Sequence, residues 1–245
     1  MKGVILAGGL GKRLEPLTRI ANKHLLPVYN QPMIYYPIKT LIGAGIKDIL
    51  IVTGGNSAGD FLKLLGNGED FGINGIHYAY QKGEGGIADA LRLAEPFVAN
   101  HKSVVILGDN VVDQSIKPYV DEFRRQKKGA RILLKKVPDP QRFGVAEMKG
   151  KKIVRIIEKP KNPPSDYIVT GIYMYDSFVF EFIGKLKPSQ RGELEITDVN
   201  NMYLKKNQLC YNILEGNWTD CGTFNSLFRA NRLVASKYLK RDELD

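Results

Sequence analysis

The first residues able to do chemistry come early: Gly8-Gly9-Leu10-Gly11-Lys12-Arg13-Leu14 sets three glycines before two cations. Glycines let backbone N–H groups approach a ligand closely and the cations neutralise charge beside them, which suits a triphosphate. Two named glycine motifs do not fit. A dinucleotide fingerprint read from Gly9 needs glycine where Leu14 stands, and a Walker A loop ending at Gly11-Lys12 needs glycine at Leu6 and Ser or Thr at Arg13. A tight strand-to-helix turn would use the same glycines, so the loop alone leaves both uses open. Further along stand Gln81 with Gly85-Gly86, then Gly108-Asp109-Asn110. A carboxylate directly after an apolar run suits Mg²⁺, which takes one or two carboxylates plus substrate phosphates; a helix cap or turn is the alternative for Asp109. In Glu158-Lys159-Pro160, the lysine could hold a phosphate and the glutamate could accept hydrogen bonds from hydroxyls.

These groups matter only if a scaffold brings them together. Residues 2–6, 48–53, 76–81 and 103–107 are short, largely apolar runs ending in glycine or polar residues, with helical segments between them at about 33–44, 57–65 and 85–98. This alternation predicts a mostly parallel sheet covered on both faces. Ligands of such sheets sit beyond the carboxyl ends of the strands, where the glycine loop, Gln81 and Asp109 fall. After a helix near 115–127 the pattern changes to strands at 131–137, 143–148, 152–158 and 167–175 joined by Gly and Pro turns, an antiparallel extension that shares the core. Helices at 176–186 and 193–206 follow, then strands near 209–214 and Trp218. A last helix over 222–239 carries Leu227, Ala230, Val234 and Tyr238 on one stripe. No repeat or flexible linker divides the chain, so 1–245 reads as one domain.

Composition narrows the class. The 245 residues are 43% hydrophobic and 25% charged, which fits a globular protein and excludes disorder, collagen and coiled coil. A net charge of +10 would suit nucleic acid, but most of the excess lies beyond residue 110, around 124–128, 135–136 and 149–161. It reads as a solvated basic surface that attracts small anions, with no nucleic-acid partner expected. The lone cysteines Cys210 and Cys221 form neither a disulfide framework nor a CxxC pair, and the three histidines are scattered, so any metal must sit on carboxylates. No apolar run approaches the roughly 18 residues of a membrane span, so a cytoplasmic protein is expected. Arg241-Asp242-Glu243-Leu244 is similar to an ER-retention tetrapeptide but is followed by Asp245, and it reads as chance.

Eight blocks then occur in order: 6–14, Lys23-His24-Leu25-Leu26-Pro27-Val28, Pro32-Met33-Ile34-Tyr35-Tyr36, Gly108-Asp109-Asn110, Arg142-Phe143-Gly144-Val145, Glu158-Lys159-Pro160, Val169-Thr170-Gly171-Ile172-Tyr173, and 191–198. With them the chain resembles the sugar-phosphate nucleotidyltransferases over residues 1 to about 230. The resemblance implies an α/β Rossmann-like nucleotidyltransferase fold, a mostly parallel mixed sheet flanked by helices with an antiparallel sugar-binding extension. Residues 1–130 would hold nucleotide, 131–220 the sugar phosphate, and 221–245 the C-terminal helix.

The implied reaction is dTTP plus α-D-glucose 1-phosphate giving dTDP-glucose and pyrophosphate, with Mg²⁺. By family position Gly8, Gly9 and Gly11 lie along the nucleotide, Arg13 and Lys23 bind the triphosphate, and Gln81 with Gly86 reads the base. Asp109 binds Mg²⁺ together with Asp220, and Asn110 belongs to the substrate site. Gly144, Glu158, Val169 and Gly171 line the sugar pocket, and Lys159 binds the sugar phosphate; Arg13, Lys23 and Lys159 are the catalytic cations. A homo-oligomer is also implied. Departures from the family pattern include Lys12, Asn30-Gln31, Lys82 and Cys221, the last expected to be a packing residue. A UTP- or N-acetylglucosamine-1-phosphate-using enzyme and a non-catalytic nucleotide-sugar-binding regulator are the alternatives. Longer members carry further C-terminal helices associated with end-product regulation, so weak regulation is expected here.

Overall fold

The structure, a computed structural model, describes residues 1–55 and 57–239; the 241–245 segment lies outside them. Strand β1 (Lys2–Ala7) leads into single 3₁₀ turns, the hairpin β2 (Pro27–Val28) and β3 (Gln31–Pro32), and helix α1 (Tyr35–Gly43). Then come β4 (Asp48–Gly54), α2 (Ala58–Leu65), β5 (Gly75–Gln81), α3 (Ile87–Arg92), α4 (Glu95–Val98), β6 (Ser103–Leu107), β7 (Asn110–Val112) and α5 (Lys117–Arg125). The second part has β8 (Ala130–Lys136), β9 (Gly144–Lys149), β10 (Lys152–Glu158), β11 (Tyr167–Tyr175), α6 (Val179–Ile183) and α7 (Ile196–Lys205). It ends with β12 (Leu209–Ile213), β13 (Trp218–Asp220) and α8 (Phe224–Ala235).

β1 lies at the centre of the parallel part because its residues from Gly3 to Ala7 are apolar or small and buried on both faces. Ile5 stands opposite Ile51 of β4 on one side and Ile106 of β6 on the other, both pairs parallel. The sheet runs β10-β9-β11-β6-β1-β4-β5, with β8 also paired to β11 and β12 added to β8. Val4 and Leu6 face a core shared with α3, α6 and α7, while Ile5 and Ala7 face one shared with α1, α2 and α5. Burying Val4, Ile5 and Leu6 stabilises by about 1.5–3 kcal/mol each, so both helix layers are fixed to the strand that leads into the glycine loop.

The helix expected over 85–98 is two helices. Gly86 has a φ of 95° and stands before the first, and Pro96, with no N–H to give to the preceding turn, starts the second. The β12 strand joins β8 parallel, inside the otherwise antiparallel extension. β13 pairs with β7, bringing Asp220 opposite Asn110. The amide of Cys221 donates to the carbonyl of Asp109 at 2.9 Å. Cys221 itself is buried in a third apolar cluster with Leu14, Val111 and Ala230, and burial pushes its thiol up. Thr223 caps α8 in a reciprocal box with Ser226, which fixes the chain direction immediately after Asp220.

Candidate active site

Four parallel strands end at one edge, and the loops after β1, β5 and β6 open into a cleft of about 320 Å³. Gly8, Gly9, Arg13, Lys23, Gln81, Gly86 and Asp109 line it, with Leu6, Ile87, Ala90 and Leu107 supplying apolar wall. A second cavity of about 150 Å³ lies toward the antiparallel extension, lined by Asn110, Gly144, Glu158, Lys159, Val169, Gly171 and Asp220. Arg13, Asp109, Ile87 and Leu107 belong to both walls. All but one of the residues expected at the site therefore line one of two adjoining cavities. The exception is Gly11, whose φ of 71° makes the turn, and which packs against Thr18 and the stem of Lys23.

Charge is distributed unevenly over the shared wall. Lys23 Nζ donates to Asp109 Oδ2 at 2.7 Å, and both side chains are largely buried. Burial is the largest single influence and pushes the Asp109 carboxyl up, but the charge and hydrogen bond of Lys23 together with His24 and the Asn110 amide outweigh it and hold the pKa at about 2. His24, next in sequence, is buried, and desolvation together with the Lys23 charge lowers its pKa to about 3, so the ring is neutral. Asp220 is engaged through Oδ2, which accepts from Arg142 at 2.9 Å and from the amide of Gly222 at 3.0 Å. Arg13 has no ion-pair or hydrogen-bond partner among the described residues; its guanidinium lies 3.0 Å from where a side chain on Gly222 would begin, as does Asp220 Oδ2.

The second cavity is organised around Glu158. Its Oε2 accepts from Thr197 Oγ1, while Oε1 is 3.7 Å from Lys159 Nζ and 3.6 Å from Arg191. Thr197 also lies 3.0 Å from the position of a Cβ on Gly144, so a larger residue there would push into the cavity. Asn110 lines the same space with its polar atoms committed to protein. Its Oδ1 accepts from the amide of Gly171 at 3.1 Å and from Trp218 Nε1 at 2.7 Å, and its Nδ2 donates to Asp109 Oδ1 at 3.1 Å.

Arg142, Thr197 and Asn200 also reach this cavity, and none of them had been assigned a role from sequence. Arg142 and Thr197 sit inside two of the family-like blocks, Arg142-Phe143-Gly144-Val145 and 191–198, which mark their positions but give them no role. Asn200 lies just beyond 191–198; its Oδ1 accepts from Tyr175 Oη at 2.7 Å.

The family model described as Nucleotidyl transferase matches residues 2–237. A glucose-1-phosphate thymidylyltransferase of Neisseria meningitidis is 47% identical over 96% of this chain and 82% of its own length. Its counterpart in Xanthomonas campestris is 42% identical over 98% and 82%. A crystal structure from Bacillus anthracis, solved with sucrose and described as a candidate glucose-1-phosphate thymidylyltransferase, superposes with a TM-score of 0.93 at 54% identity, covering 98% of each chain. A UDP-glucose pyrophosphorylase structure shares the fold, with a TM-score of 0.86 at 24% identity over 96% and 98%. With the model match spanning both cavities and relatives aligned over nearly its whole length, the chain belongs to the nucleotidyl transferase family.

Proposed function

We propose that this protein transfers a thymidylyl group from dTTP to α-D-glucose 1-phosphate, releasing pyrophosphate and dTDP-glucose. The observation that carries this reading is the shared wall. One cavity is walled by apolar side chains and a glycine loop, the other by a carboxylate and a lysine, and Arg13 and Asp109 stand between them. Two substrates placed so would meet at their phosphates. The names of the relatives supply the nucleotide and the sugar.

A sugar 1-phosphate is largely dianionic at pH 7, with a second pKa of about 6, so its oxygen attacks without a protein base. The new bond forms to the α-phosphorus as the bond to the bridging oxygen of pyrophosphate breaks. The obstacle is bringing two polyanions into line. Lys159 faces the attacking phosphate, while Lys23 and Arg13 face the triphosphate, so the protein contributes position and charge neutralisation.

Asp109 and Asp220 are hard oxygen donors on one cavity wall, which fits Mg²⁺; bound there it would offset charge on the α-phosphate. Each carboxylate also has a cationic neighbour of its own, Lys23 for Asp109 and Arg142 for Asp220. We further propose a cytoplasmic setting, which suits two unpaired cysteines, one of them exposed.

The test is pyrophosphate release from the purified protein across dTTP, UTP, CTP and ATP with glucose, galactose and N-acetylglucosamine 1-phosphates. The highest kcat/KM should fall at dTTP with glucose 1-phosphate. If UTP equals dTTP, the thymidylyl assignment fails and nucleotidyl transfer stands.

A further inference from the structure

Gln81 ends β5 on the floor of the first cavity, and it is nearly fully buried there. A primary amide offers two donors on one side and an acceptor on the other, so its orientation decides what it shows a ligand. Here both donors are used. Nε2 donates to Asp89 Oδ2 at 2.9 Å and to the carbonyl of Gly86 at 3.3 Å. Oε1 stands on the opposite side, 2.8 Å from where a Cβ on Gly8 would lie, and it has no hydrogen-bond partner among the described residues. Gly8 and Gln81 both line the cavity, so the amide presents its carbonyl to that space.

The orientation is not free to reverse. Turning the amide would place Oε1 against the carboxylate of Asp89 and the carbonyl of Gly86, setting acceptor against acceptor in a buried place. Asp89 is itself fixed: its Oδ1 accepts from Arg92 at 2.9 Å, and its side chain folds back against Gly85 in the first turn of α3.

We propose that Asp89 is a positioning residue for base selection: together with the Gly86 carbonyl it takes up the Gln81 donors, which leaves only the carbonyl oxygen for the base. Thymine and uracil present an N–H at ring position 3, which pairs with that carbonyl. Cytosine presents a bare ring nitrogen, an acceptor facing an acceptor, and is rejected. The inference rests on the assignment of the nucleotide to this cavity, and it adds a residue that touches no substrate.

Steady-state pyrophosphate release with dTTP and with dCTP, at saturating glucose 1-phosphate, reads the effect in the intact protein and in Asp89→Ala. The dTTP-to-dCTP ratio of kcat/KM should fall at least tenfold in Asp89→Ala. The change should lie in the nucleotide KM, with the KM for glucose 1-phosphate within about twofold of the parent. Asp89→Asn, nearly the same shape but able to donate as well as accept, carries the same test if the alanine variant does not fold, with an intermediate fall in the ratio. A folded variant with an unchanged ratio overturns the inference and leaves Asp89 as an acidic residue at a helix N-terminus, where it would affect stability alone. Absence of pyrophosphate release by the parent with every nucleotide overturns the functional reading and this inference together.

Discussion

Lys159 has a φ of 42°, in the left-handed region that side chains other than glycine seldom adopt. Its amide donates to the carbonyl of Phe143 at 3.0 Å, which holds the turn between β10 and the loop that follows. A strained backbone maintained in this way marks a side chain whose direction matters. Lys159→Ala should therefore lower kcat/KM for glucose 1-phosphate on the order of 10², about 2.7 kcal/mol, while the KM for dTTP changes by less than about threefold. Initial rates with each substrate varied in turn measure the split; equal losses for both substrates would remove Lys159 from the sugar-phosphate side. His24 gives a second residue-scale expectation, this one in stability. The unfolded chain protonates it near 6.5 and the folded one only near 3, so between those values the unfolded state binds the extra proton. Stability from this source is complete above 6.5 and is lost as pH falls toward 3, by up to about 1.4 kcal/mol per pH unit. Urea titrations across that range should show a shallower slope for His24→Gln than for the parent, whatever the stability of the variant at neutral pH.

At the scale of elements, the site depends on the short pair β7 and β13, which lines the second cavity and ties Asp220 to the strand that follows Asp109. Asn110 is its fixed point, and Gly171 of β11 comes so near that a Cβ there would lie 2.6 Å from Asn110 Nδ2 and 2.8 Å from Oδ1. Gly171→Ala should cost about 1–3 kcal/mol by overpacking and should reduce sugar-phosphate turnover, because Asn110 can move only by releasing Trp218 or Asp109. Thermal unfolding and kinetics of the one variant check both parts; a loss of stability with full activity would separate the hub from the site. The parallel layer was legible in sequence because its buried strands are apolar runs that end in glycine or polar residues, as 2–6 and 103–107 do. The β7–β13 pair was not, since three residues carry no period and their partner lies far along the chain. The division of the 85–98 helix was missed for a related reason: Pro96 is compatible with the first turn of a helix, so its presence did not mark where the earlier helix had to stop. Asp220 shows the same limit at the site. Its local sequence reads as a residue ahead of a capped helix, and only the family resemblance, followed by its pairing opposite Asn110, sets it beside Asp109.

Over the whole molecule, the parallel part supplies one cavity, the antiparallel extension much of the other, and the wall they share holds an arginine with no partner among the described residues and an ion-paired aspartate. No helix among the described residues is long and apolar enough to cross a membrane, and the net charge of +10 attracts the two anionic substrates that the cavities suit. This arrangement implies one displacement, in which the sugar phosphate attacks the α-phosphorus directly with no nucleotidyl group carried on the protein. The configuration at phosphorus tests that most directly: dTTP bearing a single sulfur of known configuration on its α-phosphate is turned over with glucose 1-phosphate, and the thio-dTDP-glucose formed is analysed. The account requires inversion at that centre. Retention, the mark of two successive displacements through a covalent intermediate, would contradict it, as would a failure to form the nucleotide sugar at all.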